Sequence, residues 1–192
     1  MRALSEMIAL DTQWKVVHPP GGAADTYGLF YGEDLVAQAQ AVWQRMVSYD
    51  LMMWSEEGTY RVHVNLANPN RQAQAFMFGA QQCSAAFCLE SEGFITVRGV
   101  VNTASGRELR WDPTHEVGYE YVMREINHAP LITLSATPDL GGIGGNPGHM
   151  NLGVDCAGDA DLPALVALGF ALANEQVRLL HRPEGHREAV LG

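Results

Sequence analysis

The sequence predicts an α+β domain: a curved antiparallel β-meander packed on a buried C-terminal helix, with an amphipathic N-terminal helix covering another part of the sheet. Three observations carry this. Between residues 49 and 111, apolar side chains alternate at period two in short runs separated by tight polar breaks. Segment 160–181 opens with apolar residues on nearly every side, as a helix inside a core requires. Residues 33–47 place Leu35, Ala39, Val42, Trp43, Met46 and Val47 at helical spacing.

Taken in chain order, 14–17 is a short strand ended by the turn-rich His18-Pro19-Pro20-Gly21-Gly22. The 33–47 helix follows, its early acids and late Arg45 suiting the helix dipole. A hairpin comes next. Its second strand, 59–66, sets Tyr60, Val62, Val64 and Leu66 on one face, and Arg61, His63 and Asn65 on a solvated one. Runs at 73–80, 84–90, 94–102 and 107–111 continue the meander. Residues 115–127 fit helix or strand; the preceding Asp112-Pro113-Thr114 and the glutamates at 116, 120 and 125 favour helix. Strands are expected at 131–136 and 151–156. The last helix, 160–181, is capped by Asp159 or Asp161 and stopped by Pro183. The chain reads as one domain over 1–192, with the ends 1–13 and 184–192 free to move.

This element order resembles helix-grip ligand carriers, the α-β-β-β-α-β-β-α layout of secretion-chaperone-like domains, and a barrel closed around a C-terminal helix, as in tubby-like domains. The resemblance is one of arrangement and carries no functional residue with it.

Charge narrows the function classes. Twelve Lys+Arg stand against 22 Asp+Glu, a net charge of −10 in 192 residues. Sequence-independent nucleic-acid binding needs a dense cationic footprint, and anionic membrane surfaces attract the same residues, so neither partner is expected. The three cysteines Cys83, Cys88 and Cys156 form no C-x-x-C pair or zinc ladder, and no cofactor or metal is implied. The first eight residues carry Arg2 and then Glu6, where a signal peptide keeps an apolar run. A reduced cytoplasm is the expected compartment.

Two groups of residues are candidate sites. The Gly-rich stretch 138–149 lacks the third glycine and the following helix of a dinucleotide fingerprint, so it reads as a connection. Around it Asp139, His149, Asp155 and Cys156 mix acid, base and thiol character, the chemistry of a hydrolase or metal enzyme. Met52 and Trp54 on one run, and Phe76 and Phe78 on another, form the second group. With Met53 and Met77 between them, the runs Met52-Met53-Trp54 and Phe76-Met77-Phe78 put large apolar groups on both faces of their strands, so one face is left for a ligand, a partner or a second subunit. The leading expectation is therefore a non-enzymatic binding domain that engages a protein partner, or a second copy of itself, through that apolar face. A carrier holding a small apolar ligand between sheet and C-terminal helix is the alternative, and the 138–156 enzyme the third reading.

Overall fold

The computed structural model describes residues 1–16, 26–45, 48–65, 72–92, 97–115, 120–136 and 148–180. Twelve strands run β1 Asp11–Val16, β2 Thr26–Tyr31, β3 Asp34–Arg45, β4 Ser48–Ser55, β5 Gly58–Asn65 and β6 Gln72–Met77, then β7 Cys83–Glu92, β8 Val97–Thr103, β9 Glu108–Pro113, β10 Glu120–Arg124, β11 Ile132–Ala136 and β12 Gly148–Leu152. Each pairs antiparallel with its sequence neighbours, and β1 pairs with β12 to close a barrel. The long helix α1, Leu162–Leu180, lies within it.

The expected fold class is corrected on this point. The sheet does not stay open as a curved meander flanked by two helices; it closes on itself. Strand twist accumulates across a long antiparallel sheet until its edges meet, and closure removes the unpaired N–H and C=O groups of both edges. Eight strands enclose an interior that side chains alone can fill. Twelve enclose a wider one, and α1 fills it.

The N-terminal helix is the second correction. Residues 34–45 are β3, whose Ala37, Ala39 and Ala41 pair with Ser55, Met53 and Leu51 of β4. A bulge explains why the segment looks helical. Leu29 pairs with Ala37 but Phe30 with Leu35, so Val36 is the extra residue, and both Val36 and Ala37 turn inward. One inserted residue shifts the phase of the alternation, which imitates the i, i+3, i+4 spacing of a helix. The helix favoured for 115–127 is likewise replaced by strand where the structure describes it: 120–124 form β10, with Tyr121 and Met123 pointing inward, and 116–119 lie outside the described residues. The strand expected at 151–156 is β12 ending at Leu152, followed by a 3-10 turn over Val154–Cys156.

The core is the space between barrel wall and helix. Residues 162–173 of α1 are buried throughout. The helix packs against β4 to β7 and β11. Small inward residues, Ala73, Ala75 and Ala85, let it approach β6 and β7 closely. On another side the larger Trp111 and Tyr121 take up the width, their rings stacked with centroids 5.2 Å apart. Gly169 faces this group: a Cβ there would stand 2.8 Å from Leu134 Cδ1. A second 3-10 turn, Leu4–Met7, buries Leu4 and Met7 against the barrel.

Side chains fix the start of the helix to the barrel rim. The Arg107 guanidinium donates to Asp159 at 2.5 Å and to Glu125 at 2.8 Å, and Ser105 donates to Asp161 at 2.5 Å. Asp159 also accepts the Asp161 N–H at 2.9 Å. These bonds join the β8–β9 turn and the β10–β11 connection to the entry of α1. No helix among the described residues is long and apolar enough to cross a membrane.

Candidate functional site

α1 occupies the barrel interior over residues 162–173, and the second group of candidate residues lies on the outer wall. On β4 the inward residues are Leu51 and Met53, so Asp50, Met52 and Trp54 face outward. On β5, Tyr60, Val62 and Val64 turn in, leaving Thr59, Arg61 and His63 outside; on β6, Ala73 and Ala75 turn in and Phe76 out. The register then sets Met52, Arg61 and Phe76 side by side in one row. Trp54 and Thr59 make the next row, and the Phe78 N–H extends it by donating to the Thr59 carbonyl at 2.8 Å.

The four residues singled out for partner binding thus share one outer wall. Met52, Trp54 and Phe76 are half-buried, whereas Phe78 is 70% exposed in the β6–β7 turn. Met77 beside it is 44% exposed. Arg61 does not break the patch with free charge. Its guanidinium reaches along the wall to Asp50, with Nε 3.1 Å from Oδ2. That leaves the aliphatic stem between Met52 and Phe76 in the row.

Asp50 is what sequence reading missed. It is only 4% exposed although it faces outward, and it accepts from Arg61 and from His63 Nδ1 at 2.7 Å. A carboxylate removed from water requires such partners. Arg61 and His63 stand on the solvated face expected of them, yet both are committed to a carboxylate on the next strand. Only the β4–β5 register reveals this pairing, because Asp50 lies 13 residues from His63 in sequence.

The other candidate group does not assemble in the same way. Asp139 lies outside the described residues. His149, on β12, pairs through Nδ1 with Asp11 Oδ2 at 3.0 Å. Asp155 is exposed in the 3-10 turn. Cys156 is buried, and its thiol donates to the Leu131 carbonyl at 3.1 Å. Burial, reinforced by the nearby Asp159 carboxylate, pushes that thiol up to about 11. Burial and the raised thiol both disfavour the thiolate that nucleophilic chemistry needs. No hydrogen bond among the described residues joins His149 to Cys156, and no set of three or more His, Cys, Asp and Glu there could hold a metal ion.

Between β2, β3 and the helix a gap remains, lined by Tyr27, Leu29, Ala39, Met53, Val166 and Phe170. Its volume is about 10 Å³ and its lining is apolar, room for little more than one water-sized sphere. Tyr27 closes edge-on over Phe170, ring centroids 5.5 Å apart.

The fold and the wall together define a closed antiparallel barrel plugged by its own helix, with an apolar patch outside. No family model, curated protein or solved structure matches the chain.

Proposed function

We propose that this protein is a non-enzymatic docking domain that engages a protein partner through the outer wall of β4 to β6 and the β6–β7 turn. One observation carries the reading: Met52, Trp54, Phe76 and Phe78 gather on a single wall, with Phe78 70% exposed. A large aromatic left in water beside other apolar groups is the kind of anchor that protein interfaces bury. The burial of α1 over 162–173 supports the same reading, and the gap between β2, β3 and the helix, at about 10 Å³, is too small to hold a ligand.

The surroundings of the wall suit an aqueous compartment. Its outward residues include Gln38, Gln40, Arg61, His63, Gln72 and Gln74, while its inward ones are apolar. A membrane-spanning barrel carries the reverse pattern, with apolar residues toward lipid. Free thiols at Cys83, Cys88 and Cys156 accord with a reducing one.

Photo-crosslinking tests the proposal. p-Benzoylphenylalanine in place of Phe78 is expected to capture one discrete partner, and the same group in place of the exposed Arg98 on β8 is not. Trp54→Ala should weaken the capture from position 78. Identical adducts from both positions, or none from position 78, would remove the proposal.

A further inference from the structure

We infer that the partner that docks here is a cationic segment of a different protein, its apolar anchors flanked by lysine or arginine; this rests on the docking reading above. The turns that join β2 to β3, β4 to β5, β6 to β7 and β8 to β9 all fall at the barrel end where α1 begins. The Phe78 bond to Thr59 and the Ala104 N–H bond to the Ser84 carbonyl, 2.9 Å, set them side by side. Phe78 and Met77 therefore project from a rim that also carries Glu33, Glu56, Glu108 and Asp155, all exposed.

The arginines of this rim do not cancel that charge. Arg2 is held by Asp34 at 3.2 Å, Arg107 by Asp159 and Glu125, and Arg124, at the end of β10, stands 3.9 Å from Asp112. Each is spent on carboxylates other than the four exposed ones. The positive end of the α1 dipole amounts to about half a charge and offsets only a fraction of them. An incoming Lys or Arg meets a negative rim and, on Phe78, a ring face suited to cation–π contact.

A second copy of this chain meets the opposite condition. Two molecules of net charge −10, apposed through the same acidic rim, repel each other. Strand addition is closed as well, because β1 and β12 pair and the barrel leaves no edge strand to extend. What fits is a side-chain contact with a partner of opposite charge.

The test uses the full chain and two fluorescein-labelled peptides of equal length, one alternating leucine with lysine and the other leucine with glutamate. Anisotropy titrations should show the Leu/Lys peptide binding and the Leu/Glu peptide failing to bind. The variant Phe78→Ser should lower the affinity for Leu/Lys about tenfold. The triple variant Glu33→Gln, Glu56→Gln, Glu108→Gln should do the same and flatten the salt dependence. Circular dichroism must show both variants folded, and light scattering should show a monomer. Equal binding of the Leu/Glu peptide overturns the inference, as does full affinity in the triple variant. Leu/Lys binding that ignores Phe78→Ser, or a dimer that this substitution dissolves, overturns it too. A captured partner that crosslinks at position 78 through an acidic segment would defeat this inference and leave the docking reading standing.

Discussion

Cys156 shows how burial decides the chemistry of a single group. Its thiol is raised from an ordinary value near 9 to about 11, first by desolvation and then by Asp159. Between those two values the unfolded chain gives up the proton and the folded chain keeps it. The folded state then binds more protons, so stability falls as pH rises from about 9 to about 11, and the contribution is intact below 9. Thermal melts from pH 8 to 11 should show this decline, and Cys156→Ala should make it shallower. Tyr60, raised by burial and by Glu57, adds to the decline in both proteins. At pH 8 a thiol reagent should label the exposed Cys88 at once and Cys156 only on unfolding. Two backbone positions give opposite expectations. Ala9 sits at φ 61, a region costly for a side chain, so Ala9→Gly should stabilise by about 0.5–1 kcal/mol. At Gly99 a Cβ would lie 2.3 Å from the Cys88 carbonyl and 2.4 Å from the Phe87 ring, so Gly99→Ala should destabilise by about 2–3 kcal/mol or more. Urea denaturation reads both.

Elements differ in how much of themselves the chain betrays. The C-terminal helix is legible because an apolar run on every side has one stable place, inside; the hairpin of β4 and β5 is legible because its alternation is unbroken. In β3 the Ala-Gln alternation from Ala37 to Ala41 is present, but the bulge at Val36 and the apolar Val42-Trp43 after it blur the period. In β10, Val122 is buried between the inward Tyr121 and Met123, which erases the polar half of the alternation. The wall residues Met52, Trp54 and Phe76 could be marked from sequence as apolar on a second strand face. Asp50 could not, since its partners come from a register that no local pattern encodes. Helix burial also fixes the energetics of this scale. Leu168→Ala, inside the barrel, should cost about 2–5 kcal/mol in urea unfolding. Ile126→Ala, 59% exposed, should change stability by no more than about 0.5 kcal/mol.

At the scale of the whole molecule, closure and filling are one decision. A twelve-stranded ring without α1 would enclose a lumen lined by Leu51, Val62, Phe87, Leu109 and Leu134, apolar surface with nothing to cover it. With α1 in place the described interior is packed, and the proposed docking function rests on the outside: the apolar wall of β4 to β6 and a negatively charged rim. The docking proposal therefore depends on the helix staying where it is. Hydrogen–deuterium exchange resolved along the chain measures that directly. Amides of 162–173 should be the slowest in the molecule, opening only with global unfolding. Exchange of that segment on the timescale of the exposed turns would contradict a barrel filled by its own helix, and with it the assignment of recognition to the outer wall.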